Sequence, residues 1–456
     1  MTSDGYDGIR VDAGRMTIQR LVLDDFRSWR HCQCDFRAGA TILEGSNGLG
    51  KTNIVEAIEV LSTGMSHRTS SLSSVITHGE SRATIRAMAV DGVEADEDGN
   101  DVVGGHDDQA GKGLDEVQGR DRGRDDVTAR PPSSTRLGLE ATITARGANR
   151  GRVNGGPSVY LRDVVGRIPS VTFAPDDQRL VTDDPARRRT FLDQAGSLLI
   201  PGYTASLQTF EKVARQRAAL LKTLSQTTGA DDHAAALSGL EVWTGQFIMS
   251  GTDLTRKRRR VVDALAGYFE DVHSSLTMGK AGSGHHATMT YAPSFAEVEG
   301  VDDPHGDKTI DDDISARFRR IFPGEIAQGR NLIGPHRDDV LFGLDGAPAR
   351  EFASNGEIWT MALALRLALF HVMRRVRGVE PIVILDDVFA QLDDERRSRI
   401  MDFARDRTQV IITTATAHDI PVLSDADVVD VRALRDRYDL SGRSDPSDRD
   451  STDGDV

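Results

Sequence analysis

The stretch EGSNGLGKTNIVEAIEVL runs from Glu44 to Leu61. It contains a G-x-x-x-x-G-K-T loop, Gly45 to Thr52, that opens a helix. Such a loop wraps phosphates with the backbone N–H groups of Gly45, Ser46, Asn47, Gly48, Leu49 and Gly50. Lys51 is expected to reach the β- and γ-phosphates of a nucleotide, and the Thr52 hydroxyl to bind Mg²⁺. The positive end of the following helix adds to the attraction. The loop also needs a carboxylate for the Mg²⁺, and none follows closely. The best candidate is in PIVILDDVF, where Asp386 lies 335 residues beyond Lys51.

The chain changes character twice between its start and Asp386. From Met16 to the loop, apolar and polar residues alternate, as strands do. SRATIRAMAV and TRLGLEATITARG read as two further strands. Between them, residues 91–130 hold 13 Asp and Glu against 5 Lys and Arg. With no aromatic residue, that segment cannot bury enough apolar surface to fold, so a disordered insertion is expected at about 91–134. From residue 184 to 312 apolar residues recur at helical spacing, in PARRRTFLDQAGSLL, YTASLQTFEKVARQRAALLKTL and the run from LEVWTGQF to VHSSL. This reads as an antiparallel helical arm. After it the chain returns to a strand, DDVLFGLDG, a helix from Glu357 to about Arg375, the buried strand Ile382 to Leu385, another helix and the strand QVIITTA.

The organisation expected is therefore a leader at 1–15, an α/β head built from 16–183 and 313–434, a helical lobe at 184–312 inserted into it, and a disordered acidic tail at 435–456. The two halves of the nucleotide site would sit on neighbouring strands of one sheet.

The chain has 456 residues and a net charge of −15. The excess is concentrated in the acidic insertion and the ends, so the folded surface is close to balanced. That argues against a generally basic nucleic-acid coat. The basic clusters Arg187-Arg188-Arg189, Lys257 to Arg260 and Arg374-Arg375 read as solvated helix faces. Only Cys32 and Cys34 are present, too close in sequence for a framework disulfide, which fits a reduced, cytoplasmic compartment. No apolar run reaches the roughly 20 residues of a membrane span. The start lacks the apolar core of a signal peptide. His285-His286 lies in a Gly/Ser stretch that is a poor metal site.

IVILDD completes the chemistry. Asp386 at the strand end would hold Mg²⁺, and Asp387 would polarise the attacking water as general base. FASNGEIWTMALALRLALF is the third piece. Ser354-x-x-Glu357 before an apolar helix is a capping box. The same helix start, with the Ser354 hydroxyl and the bare Gly356 amide, is shaped to grip a γ-phosphate.

The order of phosphate loop, inserted helical lobe, Ser-x-Gly-Glu signature, apolar strand ending in two Asp and AQLD resembles the ABC-type ATPase heads of the SMC group. Within that group the chain is similar to the RecF family. The matching stretches are LVLDDFRSW, GSNGLGKTN, VTFAPDDQRLVTDDPARRRTFLD, FEKVARQRAALLK, GPHRDDVLF and ILDDVFAQLD. They span Met16 to about Val431.

The resemblance implies an α/β ABC-type P-loop ATPase head with a second helical lobe. It implies ATP and Mg²⁺ as cofactors, and an ATP-dependent homodimer in which Ser354 and Gly356 meet the partner's ATP. Its partners would be DNA, single-stranded and at single-strand/double-strand junctions, and the other recombination mediators of the RecF pathway. The role implied is recombinase loading at gaps in DNA replication, recombination and SOS-linked repair.

There are departures. After Gly356 the chain has Glu357-Ile358-Trp359 where the family has Gln-Gln-Arg, which bears on dimerisation. The D-loop reads Ala390-Gln391-Leu392-Asp393 in place of Ser-Glu-Leu-Asp. Thr413-Thr414 stands where ABC heads carry a switch His, and the nearest His is His418. Slow, switch-like hydrolysis is expected. Other readings remain open: another SMC/ABC-type ATPase, a transport ATPase subunit, or a nucleotide-sensing DNA-binding module with negligible turnover. His336 and Arg337 in GPHRDD are either functional or part of a tight turn at Gly334-Pro335.

Overall fold

The computed structural model describes residues 14–69, 71–92, 135–226, 230–277, 285–298, 307–389, 392, 394–405, 407–416 and 426–441. The expected insertion from 93 onward, most of the leader, most of the D-loop and His418 lie outside the described residues.

The chain opens with β1 (Gly14–Phe26), β2 (Trp29–Asp35) and β3 (Gly39–Glu44), then the phosphate loop and α1 (Lys51–Thr63). β4 (Arg82–Asp91) and β5 (Thr135–Thr144) pair antiparallel from Arg82 opposite Thr144 to Asp91 opposite Thr135, so the acidic segment joins two paired strands. β6 (Arg150–Val153) and β7 (Val159–Tyr160) extend this sheet, and β8 (Ser170–Phe173) begins another. Apolar residues at alternate positions build the core face of the first sheet. Ala83, Ile85, Ala87 and Ala89 of β4 and Leu139, Ala141 and Ile143 of β5 all point inward. They pack with Ile54, Val55, Ile58 and Leu61 of α1.

The helical block follows: α2 (Arg179–Thr182), α3 (Pro185–Leu199), α4 (Tyr203–Gln226), α5 (Ala230–Thr277), and, after β9 (Ala287–Ala292), α6 (Asp307–Gln328). At about 1.5 Å per residue, α5 is roughly 70 Å long. Its upper part packs on α4 through Leu240. Its middle contributes Phe247, Ile248 and Leu254 to the arm core. Its lower part sends Val261, Val262, Leu265, Phe269 and Val272 into the head core.

The helix α6 was not expected, and the arm boundary anticipated at 312/313 falls inside it. Its acidic first turns and Pro323 obscure the helical period. Ile310, Ile314 and Phe318 nevertheless face the arm core. One buried ion pair joins it to α4: Arg217 donates to both Glu325 oxygens at 3.0 and 2.6 Å, and to Asn331 at 2.7 Å. Removing one partner of such a pair strands a buried charge at a cost of about 3–5 kcal/mol.

The chain then builds β10 (Asp339–Leu344), β11 (Ala347–Pro348), α7 (Ala349–Phe352), α8 (Asn355–Arg377), β12 (Val379–Glu380), β13 (Ile382–Asp386), α9 (Asp394–Arg405), β14 (Gln409–Thr414), β15 (Asp427–Asp430) and α10 (Val431–Ser441). A small antiparallel sheet runs β11-β10-β9. The central sheet is parallel, in the order β15-β3-β14-β13-β8. The phosphate-loop strand and the Asp386 strand are thus not neighbours, contrary to expectation, because β14 lies between them.

This parallel sheet is covered on both faces, as such sheets are. Leu43, Ile382, Ile384 and Ile411 join the cluster of α1 and the antiparallel sheet. The alternate residues Ile42, Val383, Leu385, Val410 and Ile412 join the cluster of α3, α5 and α8. Helix α8 is long and apolar enough to cross a membrane, but it is a core helix, with Met361, Ala364, Leu365, Ala368, Phe370 and Met373 fully buried. Cys32 and Cys34 are free and buried on one face of β2. Burial pushes the Cys32 thiol up to about 12, so it stays protonated.

Candidate functional site

Parallel strands present their C-terminal ends together, and loops leaving those ends form the crevice of the sheet. Here β3 ends in the phosphate loop, β13 ends in Asp386 and β14 ends in Thr413 and Thr414. The loop turns through Gly45, Gly48 and Gly50, all at positive φ. At Gly50 a Cβ would lie 2.7 Å from the Trp29 indole nitrogen, so only glycine fits. Trp29 in turn donates to the Gly50 carbonyl at 3.1 Å.

Lys51 folds back over this loop, its Nζ donating to the Gly45 and Ser46 carbonyls at 2.5 and 3.2 Å. Those carbonyls occupy the role that phosphate oxygens take in a filled loop. Burial holds the Lys51 ammonium below its ordinary range, opposed by the nearby charges of Asp387 and Asp386.

Thr52 Oγ1 donates to Asp386 Oδ1 at 3.0 Å, closing the site across the whole inserted lobe. Thr413, from the intervening strand, donates to the same oxygen at 2.6 Å. Burial raises the Asp386 carboxyl above the ordinary range, offset by the hydrogen bonds from Thr413 and Thr52. Thr413 also fixes the next residue, its Oγ1 accepting from the Asp387 amide at 3.0 Å. Asp387 sits at φ +54, the left-handed region that Asp tolerates better than most residues. These residues fit Mg²⁺ and a nucleotide triphosphate. An open glycine cradle, a threonine hydroxyl and a buried carboxylate already face one another.

Several contributors had no sequence signal. His67 pairs through Nδ1 with the buried Glu59 at 2.7 Å, and Gln194 of α3 donates to the other Glu59 oxygen at 3.0 Å. Arg27 and Arg68 both bind the buried Glu56 of α1. Helix α10 covers the outer side of the phosphate loop. Arg435 donates to the Leu49 carbonyl at 3.1 Å, and Arg432 reaches the Ser46 hydroxyl at 3.4 Å. Residues 435–441, expected in the tail, are therefore helical, and their first side chain braces the site.

The signature segment is bonded within its own turn. Ser354 caps α8, accepting from the Glu357 amide at 3.4 Å, while Glu357 accepts from the Ser354 amide and hydroxyl, both at 2.7 Å. The capping-box reading holds in full.

A family model described as the RecF/RecN/SMC N terminal domain matches residues 17–432. The DNA replication and repair protein RecF of Bifidobacterium adolescentis is 52% identical over 423 residues, 92% of each chain. The chain belongs to the RecF family. The RecF of an Arthrobacter species is 34% identical over 426 residues, covering 89% of this chain and 95% of its own. Among solved structures, the recombination mediator protein RecF–ATPrS of the RecFOR pathway superposes with a TM-score of 0.70 at 22% identity. It covers 92% of this chain and 97% of that one, and it confirms the ABC-type head fold with its helical lobe.

The RecF-like motifs outside the nucleotide site meet one another at the base of the arm. Arg188 binds Asp339 at 2.6 and 3.1 Å, and Arg189 donates to the Asp338 carbonyl at 2.8 Å. Arg258 joins Asp193 to Asp338 and to the Pro335 carbonyl. The clusters at 187–189 and 257–260 are thus not simply solvated faces: Arg188 and Arg258 are buried in ion pairs that lock arm to head. In GPHRDD, a Cβ on Gly334 would lie 2.6 Å from Phe247, which enforces the tight turn. His336 packs against Phe210 and Phe247 there, while Arg337 is exposed.

Proposed function

We propose that this RecF-family chain is an ATP-dependent DNA clamp of recombinational repair. The observation that carries the reading is the Thr52–Asp386 contact at 3.0 Å, beside Lys51 and Asp387. The phosphate loop would hold the phosphates of ATP, and Thr52 and Asp386 would hold Mg²⁺. When bound, Mg²⁺ neutralises charge between the β- and γ-phosphates. Lys51 orients the same groups and supplies a further positive charge. Asp387, fixed by the hydrogen bond that its backbone N–H donates to Thr413 Oγ1, accepts a proton from the attacking water.

The other surface needed is Ser354 with Gly356. It would take the terminal phosphate bound by a second copy, giving a homodimer with two enclosed nucleotides. Two heads joined this way double the surface offered to DNA. Gaps, with their single-strand/double-strand junctions, are the substrate expected, in the cytoplasm and beside the other mediators of the pathway. Recombinase loading in replication-linked and SOS-linked repair is the role that follows. The solved relatives named RecF–ATPrS and RecF–ATP of the RecFOR pathway support ATP as the nucleotide and the pathway's other mediators as partners.

The test is association of the full chain with labelled gapped DNA, with and without ATP, at two salt concentrations. Binding is expected to strengthen with ATP and to weaken steeply with salt, as counterion release requires. Equal affinity in both nucleotide states, or no dependence on salt, refutes the clamp. A second reading, a nucleotide sensor with negligible turnover, is favoured by the Ser354 hydroxyl being held by Glu357. Phosphate release measured with and without DNA separates the two.

A further inference from the structure

A cavity of about 300 Å³ opens at the start of α8, lined by Ser354, Gly356, Glu357, His285, Arg396 and Arg399 among others. Its chemistry is unusual for a surface meant to receive a polyphosphate, because it carries a carboxylate. A glutamine at position 357 would close the capping box equally well. The charge of Glu357 is therefore surplus to the fold. The Ser354 hydroxyl and amide hold the Glu357 carboxyl below the ordinary range, so it stays ionised.

One cationic partner of that carboxylate comes from outside the signature. His285 stands just before β9, in the stretch that looked featureless in sequence. Its Nε2 is 3.7 Å from Glu357 Oε1, while its Nδ1 is hydrogen-bonded to Asp345 in the turn between β10 and β11. Asp345 is itself held by the His286 amide at 2.8 Å. The other titratable groups at this corner are accounted for. His286 pairs with Glu270 of α5 at 3.0 Å. His273 of α5 is buried and held below its ordinary range by that burial, so it stays neutral. Arg396 and Arg399 of α9 line the cavity's other side.

We propose that His285 is a positioning residue of the signature. Its imidazolium, bridging Asp345 and Glu357, offsets the carboxylate that faces the incoming terminal phosphate of a second copy's ATP. Loss of that proton opposes ATP-dependent pairing of the two copies. This rests on the reading that Ser354 and Gly356 receive the partner's nucleotide.

The sign follows from the geometry. The Asp345 bond raises the His285 pKa above its ordinary value, so the charge persists to higher pH than on a free imidazole. It is lost as pH rises through that raised value, while Glu357 stays charged throughout. Pairing should therefore weaken as pH rises through that raised value, by up to about tenfold per pH unit for each His285 that must regain a proton.

The experiment is sedimentation of the full chain with ATP between pH 6.5 and 9. Glu357→Gln keeps the capping box and removes the charge; it should tighten association at high pH by at least about tenfold and flatten the pH profile. The nucleotide is the same in both proteins, so its own titration cancels in the comparison. His285→Ala should pair weakly at every pH, and adding Glu357→Gln to it should restore pairing. Asp345→Asn should move the fall to lower pH. ATP affinity of each monomer reports whether it has folded. A Glu357→Gln profile that matches the parent overturns the proposal, as does a double variant that stays weak. Ser354→Arg distinguishes the failures. If it blocks pairing while Glu357→Gln changes nothing, only the role of His285 falls; if it pairs normally, the partner-phosphate reading falls first.

Discussion

At the end of β3 the polar groups point at one another across strands, whereas at the start of α8 they point back into their own turn. Thr52, Thr413 and Asp386 come from three elements and meet within 3.0 Å. Ser354 and Glu357 come from one turn and satisfy each other. The first arrangement already gathers its groups around one point, and what it must exchange on binding is the pair of Lys51 bonds to the Gly45 and Ser46 carbonyls. The second must exchange an internal hydrogen bond for one to a phosphate. A surface of that kind costs little when alone and responds only when a ligand of the right charge is presented. The difference teaches that, on the proposed reading, nucleotide binding draws on groups gathered from several elements, whereas pairing of two copies would have to open a turn that is already satisfied.

Four substitutions test this contrast, from the largest expected effect to the smallest. Asp387→Asn should lower turnover by about 100-fold or more while ATP binding persists, since general-base catalysis is lost and Asp386 remains. Wild-type phosphate release would move the base elsewhere. Lys51→Ala should weaken ATP binding by roughly 100-fold or more, through loss of charge-assisted bonds to the phosphates. Equilibrium binding with a labelled nucleotide reads this, and an unchanged affinity would remove the loop from the site.

Ser354→Arg should leave the monomer's ATP affinity intact and reduce ATP-dependent pairing at least about tenfold, by placing bulk where the partner enters. Normal dimers in light scattering would reduce the segment to a helix cap. Thr413→Val should have the mildest effect, about fivefold on turnover, because one hydrogen bond to Asp386 and one from the Asp387 amide are lost. An unchanged rate would mean that β14 merely separates the two motif strands.

The phosphate loop and the strand ending in Asp386 were legible because their chemistry dictates local sequence. Glycines must stand where φ is positive, and four apolar residues mark a strand buried on both faces. Helix α3 was legible to the residue, Pro185 to Leu199, since proline opens it and its apolar spacing is regular. The order of strands was not, because nothing local in β14 says that it inserts between β3 and β13. Helix α6 was hidden by Pro323 and by the acidic residues of its first turns. The arginine clusters misled for a different reason. A run of Arg reads alike whether it faces water or, as Arg188 and Arg258 do, the carboxylates of a distant segment. His285 was passed over because its partners, Asp345 and Glu357, come together only when β9 pairs with β10.

Helix α5 is one uninterrupted rod from the far part of the arm to the floor of the head, where it lies along α8. A lobe of this kind is inserted in the sequence but not in the mechanics. Tension or torque applied to the arm is carried, without a joint, to the helix that begins with Ser354. Anything that grips the arm therefore pulls on the surface where two copies would meet. Excising the arm would take Val261, Leu265 and Phe269 out of the head and leave it hollow.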